Sequence, residues 1–553
     1  PDTSSSSPRS DAAWLDAHWM PFTANRQFKR DPRMIVAAQG AYFTDGDGRQ
    51  VFDGLSGLWC TGLGHGRREI AEAVGKQAAQ LDYSPGFQFG HPLSFELANK
   101  LKAFTPAGLD YVFFTASGSE AADTALKMAR AYWRLKGQGG KQLLVGREKG
   151  YHGVNFGGIS VGGMVANRKL YGTAVQADHL PHTQPPMGTF AKGQPAEGGK
   201  QLADRLLDLI ALHDASNIAA VIVEPFSGSA GVVIPPVGYL QRLREICTQH
   251  DILLIFDEVI TGFGRCGSRT GADAFGVVPD IMTFAKQVTN GVQPLGGVVA
   301  SKGIYDTFMA AGGPDYMLEF AHGYTYSAHP VACAAGIAAM DLLEREDGVG
   351  RVKALAPHFE VAVHGLKGAK HVLDIRNYGL AAGFTIEALP GEPAKRPYEI
   401  AMHCWKKGFY VRYGGDTIQL APPFITEKAE IDRLVNSEGY TLRGAKAALA
   451  RWQDPVSRVL GVVVVGALVV TLGEANRQRD RALAAQRHSY DVMILARTLQ
   501  GTIARSEAEL GRYVISTDQR LGQAYYDDWR RAAGNLDRLA KLVRDNEGQS
   551  RRI

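Results

Sequence analysis

The sequence predicts an α/β protein with a large domain on a mostly parallel sheet, a smaller α+β domain and an appended helical C-terminal tail. Three observations predict it. Runs of branched apolar residues such as Ile252-Leu253-Leu254-Ile255-Phe256 lack polar alternation, so a strand formed there needs cover on both faces, as in parallel sheets flanked by helices. Such runs recur with amphipathic segments between them, the spacing of βαβ units. At residue 446 this texture stops, and a charge-rich, helical one replaces it.

The elements follow in order. Residues 1–11 are polar and Ser-rich, lack the apolar core of a signal peptide, and read as a disordered lead-in. Residues 12–60 form an N-terminal segment that joins the small domain. Residues 61–329 form the large domain, with strands expected at 111–115, 143–146, 219–223, 253–257, 282–285 and 297–300. Helices are expected between them at 120–135, 198–212 and 238–250. Residues 330–445 form the small domain, with strands near 371–376, 383–387 and 409–413. Residues 446–475 hold a linker and a near-continuous apolar run, 459–472, between Arg458 and Glu474. That run is shorter than the roughly 20 residues of a spanning helix, so a transmembrane helix and a buried core helix both stay open. Basic residues flank it on both sides and do not orient it; any membrane association rests on this run alone. Residues 476–553 form a helical tail in which Trp529, Ala532, Leu536, Leu539 and Val543 recur at three-to-four spacing as a packing seam.

Composition narrows the function classes. The chain has 553 residues, 45% hydrophobic and 21% charged, which makes it globular and long enough for several domains. Its 64 glycines exceed the usual share of about 7% and have no period, which favours tight turns and close backbone approaches to a ligand. A net charge of +5 from 61 basic and 56 acidic residues is too thin for nucleic-acid binding. The five cysteines are odd in number, widely spaced and without CxxC, so reduced thiols are expected, with a cytoplasmic catalytic region. The 15 histidines contain no HExxH, and no metal is expected.

Asp257 closes one apolar run and Lys286 closes another. A carboxylate at the C-terminal end of a parallel strand sits where open α/β sheets place ligands. A lysine ending a buried run is desolvated, which lowers its pKa and favours the neutral amine that attacks carbonyls. The pair meets the needs of pyridoxal phosphate: an amine for the Schiff base, and an acid that keeps the pyridine nitrogen protonated. Taken singly, the acid reads as a cap or turn residue and the lysine as a solvent-facing side chain. Thr115-Ala116-Ser117-Gly118-Ser119-Glu120 follows an expected strand and opens an expected helix. Unpaired N–H groups and the helix dipole favour a phosphate there, and a plain capping box is the alternative. Tyr151, in Tyr151-His152-Gly153, suits a flat contact with a conjugated ring or an ordinary surface position. Trp59, in a Gly-rich turn, suits a pocket wall or a packing role. Arg412 interrupts an apolar strand and needs a carboxylate partner, either a substrate's or that of Asp416.

Together these motifs resemble the class III pyridoxal-phosphate aminotransferases, and most closely their omega-amino acid:pyruvate (beta-alanine:pyruvate) branch. The resemblance is carried by His18-Trp19-Met20-Pro21-Phe22-Thr23, Asp82-Tyr83-Ser84-Pro85-Gly86-Phe87, Ser117-Gly118-Ser119-Glu120 and Tyr151-His152-Gly153. It continues through Val223-Glu224-Pro225, the run from Phe256-Asp257-Glu258-Val259 to Arg265, Ala285-Lys286-Gln287, and Gly323-Tyr324-Thr325-Tyr326-Ser327. It spans residues 12–442 in order. It implies the pyridoxal-phosphate transferase fold (fold type I), with Lys286 carrying the cofactor covalently and Asp257 paired with its pyridine nitrogen. It further implies that Ser117, Gly118 and Ser119 hold the phosphate, joined by Thr325 from a second subunit. Tyr151 and Val259 would face the two sides of the ring, with His152 and Glu224 beside it. Trp59, Phe87, Tyr151 and Arg412 would line the substrate pocket, Phe87 reaching in from the partner. A homodimer or homotetramer with shared active sites follows. Two departures stand out: Ala116 where relatives often carry Asn, and Leu420-Ala421-Pro422-Pro423 in place of the usual aromatic-Gly-Pro.

The implied reaction is ping-pong amino transfer from an omega-amino acid or primary amine to pyruvate, giving L-alanine. A GABA- or ornithine-type transaminase, or an aminomutase, is the enzymatic alternative. The tail resembles the membrane segment and CHASE-type helical module of a bacterial sensor, without the kinase or cyclase that usually follows. A fusion, a frameshift or a mis-joined gene accounts for it, and a membrane-anchored sensory or interaction protein is the alternative from another class.

Overall fold

The structure, a computed structural model, describes residues 12–311, 313–436 and 519–542, together with 498, 499 and 503. The chain divides into two compact units, Pro1–Ala448 and Leu449–Ile553. In the first unit, strands β1 (Ile35–Gln39), β2 (Tyr42–Asp45) and β3 (Gln50–Asp53) form an antiparallel meander. The large sheet follows from β4 (Leu109–Thr115), β5 (Leu143–Arg147), β6 (Ala177–Leu180), β7 (Ile218–Val223), β8 (Leu253–Asp257), β9 (Ile281–Phe284) and β10 (Gly296–Ser301). Its order is β4-β10-β9-β8-β7-β5-β6. Strands β6, β5, β7, β8 and β9 pair in parallel, and β10 runs antiparallel to both of its neighbours.

Every residue of β7 and β8 is buried, as the unalternating sequence requires. Val221, Val223, Leu254 and Phe256 pack with Leu243 and Ile246 of the helix Tyr239–Gln249. Ala220, Ile222 and Ile255 face the opposite way, onto Ala125, Ala129 and Trp133 of the helix Gly118–Leu135. Each large aliphatic side chain so covered contributes about 1.5–3 kcal/mol. The Trp133 indole N–H donates to the Ala219 carbonyl at 2.8 Å and ties this helix to the strand it covers.

All six strands expected in the large domain are present. The seventh, β6, has the sequence Ala-Asp-His-Leu at the sheet edge, and only Leu180 is buried, so it carries no periodic apolar signal. Strands β11 (Val372–Tyr378), β12 (Ala381–Ile386), β13 (Phe409–Tyr410), β14 (Arg412–Gly414) and β15 (Thr417–Leu420) complete the fold. The single strand expected at 409–413 is two. Phe409–Tyr410 pairs in parallel with β3, whereas Arg412–Gly414 pairs antiparallel with β15. The chain crosses from one sheet to the other at the buried Val411, so Tyr410 and Arg412 belong to different sheets.

In the second unit the helix Gln519–Leu542 buries Ala532 and Leu539, each a heptad apart, and leaves Trp529 and Leu536 exposed on the adjoining stripe. The seam is therefore narrower than its sequence predicts. No helix among the described residues is long and apolar enough to cross a membrane, and the 459–472 run, Val543 and the lead-in 1–11 lie outside the described residues.

Candidate active site

The C-terminal ends of β5, β7, β8 and β9 converge on a cavity of about 190 Å³, the position where open α/β sheets hold ligands. It is lined by Gly118, Ser119, Tyr151, Gly153, Glu224, Asp257, Val259, Ile260, Ala285 and Lys286.

Asp257, the last residue of β8, is buried, and protein donors occupy both of its oxygens. Oδ2 receives the His152 Nδ1 at 2.8 Å. Oδ1 receives the Val259 backbone N–H at 3.2 Å and the Thr283 hydroxyl at 3.1 Å. Holding Nδ1–H toward the acid selects one histidine tautomer. Glu224, just past β7, accepts from Tyr151 N at 3.1 Å and Gly228 N at 2.9 Å, and so anchors the backbone that presents the Tyr151 ring. Burial, with Asp257 nearby, pushes the Glu224 carboxyl above its usual range. Burial likewise raises the Tyr151 phenol.

Lys286 follows β9 with φ +53°, a left-handed backbone that costs a non-glycine residue on the order of 1–3 kcal/mol. It opens the short 3₁₀ turn Lys286–Thr289. Burial lowers its pKa below the ordinary 10.5, Arg412 adds to that, and Asp257, Cys60 and Glu224 oppose it. A chain section that maintains a strained turn at a desolvated amine holds a nucleophile ready.

Opposite lies the start of the helix Gly118–Leu135. The Ser117 hydroxyl caps it by accepting from Glu120 N at 3.2 Å, and Glu120 accepts from Ala116 N at 2.7 Å. Ser119 Oγ accepts from Val154 N at 3.1 Å. Gly153 has φ +88°, and a Cβ there would stand 2.6 Å from Ser119 Cα, so only glycine permits the approach that closes this end of the cavity. The first N–H groups of a helix have no intrahelical acceptor, and at Gly118 and Ser119 they make an anion cradle.

Of the residues expected at the site, Gly118, Ser119, Tyr151, Glu224, Asp257, Val259 and Lys286 meet at the cavity. Ser117 stands behind it as the cap, and His152 stands behind Asp257. Trp59 is 2% exposed and packs in the core cluster that holds Leu55, Ile260 and Ala421, with the Arg265 guanidinium 5.8 Å from its ring. Phe87 is exposed beside Gly323, and Thr325 is exposed, its carbonyl accepting from Tyr83 Oη at 3.1 Å. Neither lines the cavity of its own chain. Arg412 is half-buried, its charge is felt at Lys286 and Tyr151, and among the described residues it makes no ion pair, with Asp416 or any other acid. Gly153, Ile260 and Ala285 lie within motifs that carry the resemblance, where no site role is assigned to them. Thr283 lies outside those motifs, and its signal in the sequence is that it is the one polar residue in Ile281-Met282-Thr283-Phe284.

Comparison with known proteins agrees with this geometry. The family model "Aminotransferase class-III" matches residues 23–438. The chain is 61% identical over 430 residues to the beta-alanine–pyruvate aminotransferase of Pseudomonas aeruginosa, covering 78% of this chain and 96% of that protein. It is 61% identical over 429 residues to the omega-amino acid–pyruvate aminotransferase of Pseudomonas putida, covering 77% and 96%. Among solved structures, an (S)-enantioselective omega-transaminase from Thermomicrobium roseum superposes with a TM-score of 0.73 at 34% identity, over 80% of this chain and 98% of that one. A PLP-bound amine transaminase from an uncultivated Pseudomonas species gives 0.69 at 35% identity, over 75% and 96%. These matches, with fold type I architecture and a strand-end lysine and aspartate at one cavity, show that the chain belongs to the class III aminotransferases.

Proposed function

We propose that the protein transfers the amino group of an omega-amino acid or primary amine, such as beta-alanine, to pyruvate, with pyridoxal 5′-phosphate bound in this cavity. One observation carries the reading: Lys286 and Asp257 line the same cavity as the anion cradle at Gly118 and Ser119. That donor set fits the cofactor, with a desolvated amine for its aldehyde, a fixed carboxylate for its ring nitrogen and backbone N–H groups for its phosphate. The named activities of the relatives at 61% identity support the substrate class.

When bound, the cofactor supplies an aldehyde that captures the donor amine and a ring that accepts the electron pair left on deprotonation. With the cofactor bound, Lys286 Nζ would hold it between turnovers. Freed by the incoming donor amine, the same Nζ would carry the proton from the donor's amino-bearing carbon to the cofactor's former aldehyde carbon, on the far side of the shared nitrogen. Its lowered pKa leaves more of it neutral for that task. Asp257 presents a carboxylate whose orientation is fixed by His152, Val259 and Thr283. Tyr151 and Val259 would face the two sides of the ring, and Glu224 holds Tyr151 in place through its backbone. Arg412, lacking an acid partner among the described residues, receives the carboxylate of the 2-oxo acid. Residues 61–329 act as the large cofactor domain and residues 330–445 as the small one. Exposed Trp19, Phe22, Phe87, Phe89 and Tyr316 suit burial against a second copy, with Phe87 and Thr325 completing the partner's site.

Purified protein loaded with pyridoxal phosphate should show a visible band that borohydride reduces onto the Lys286 peptide. Lys286→Ala should lose both band and turnover; full turnover in that variant refutes the assignment. Screening amines against pyruvate and 2-oxoglutarate decides the branch, and a clear preference for 2-oxoglutarate overturns the pyruvate reading.

A further inference from the structure

We propose that Thr283 is a positioning residue for amino transfer: its hydroxyl holds the Asp257 carboxylate in the orientation that pairs with the cofactor ring. The inference rests on the cofactor assignment above. Thr283 is fully buried in β9 and stands directly opposite Asp257 in the parallel β8–β9 ladder. Side chains at paired positions emerge on the same face of a sheet, so the hydroxyl reaches the acid without leaving its strand. It donates to Oδ1 at 3.1 Å. The other donor to that oxygen, Val259 N, is longer at 3.2 Å and comes from the acid's own turn. Thr283 is therefore the side chain that ties Oδ1 to a second strand, as His152 ties Oδ2. Only Phe284 and Ala285 separate Thr283 from Lys286, so one stretch of chain sets both the amine and the acid's orientation.

Thr283→Val keeps the shape and β-branching of the side chain and removes only the donor. A hydrogen bond to a charged group is worth about 1.5–3 kcal/mol, which predicts a roughly ten- to hundredfold loss shared between cofactor affinity and turnover. The test compares wild type, Thr283→Val and Thr283→Ser as holoenzymes. Equilibrium dialysis gives the pyridoxal phosphate Kd, steady-state kinetics give kcat and KM for the amine, and melting of the apoprotein reports folding. The expected result is a higher Kd and lower kcat in Thr283→Val, with KM for the amine little changed and Thr283→Ser recovering most of the loss. Wild-type Kd and kcat in Thr283→Val overturn the inference alone, as does an equal loss in Thr283→Ser with a lowered apoprotein melting temperature. Failure of the wild type to bind pyridoxal phosphate overturns the cofactor reading and this inference with it.

Discussion

Gly153→Ala tests whether the closed end of the cavity works as an anion cradle. Gly153 sits at φ +88°, where a side chain costs about 1–2 kcal/mol. The added Cβ would also stand 2.6 Å from Ser119 Cα and 2.7 Å from its Cβ, well inside the roughly 3.5–4.0 Å of carbon contact. Ser119 cannot retreat freely, because its helix is capped by Ser117 and bound to β7 through Trp133. Overpacking of this kind costs about 1–3 kcal/mol. The displacement falls on the Ser119 N–H and hydroxyl and on the Val154-to-Ser119 bond. Pyridoxal phosphate Kd should therefore rise by about ten- to a hundredfold, or about 1.4–2.8 kcal/mol. Gly276→Ala is the control: it has φ +66° with nothing within 4 Å of a new Cβ, so it adds strain without contact. It should lower the melting temperature and leave Kd within about twofold. Fluorescence titration of the apoproteins measures both. A folded Gly153→Ala protein that binds the cofactor as wild type does would refute the cradle.

Three further outcomes are expected. Arg412→Ala should raise KM for a 2-oxo acid acceptor far more than KM for an uncharged aryl amine, since the guanidinium has no acid partner among the described residues; equal changes remove it from the acceptor site. Asp53→Ala should destabilise the protein by about 2–5 kcal/mol, because the Leu55 and Gly57 N–H groups and His65 lose a buried acceptor; calorimetry showing almost no change would contradict this. Glu258 is raised to about 7 by burial, so its neutral form is favoured in the fold. The stability it contributes is complete below its ordinary pKa of 4.5 and is lost as pH rises through about 7. Glu258→Gln should therefore reduce the fall in stability between about pH 5 and about pH 8 by about 3 kcal/mol. An unchanged melting-temperature difference between those two pH values would show that Glu258 does not titrate there.

The central strands were readable because a strand buried on both faces can only be apolar throughout. Runs such as 218–223 and 253–257 state their own location, and the residue that ends each run lies at the ligand-binding edge. That makes Asp257 and Lys286 recognisable in the sequence itself. The edge strand Ala177–Leu180 and strands β1 and β2 lack such a run, since much of their surface is not buried and polar residues serve as well there.

Local order along the chain therefore determined which segments could be core strands, which helix start was open to an anion, and which two groups could do covalent chemistry. Tertiary structure decided what depends on neighbours distant in sequence. The β8–β9 register brought Thr283 to Asp257, a glycine contact brought the 151–153 loop onto Ser119, and the break at Val411 assigned Tyr410 and Arg412 to different sheets. It also packed Trp59 into the core cluster that includes Ile260, a residue lining the cavity. The physical reason is that periodicity records whether a side chain meets solvent or protein, whereas hydrogen bonds and close contacts of a few ångströms depend on which strand lies beside which.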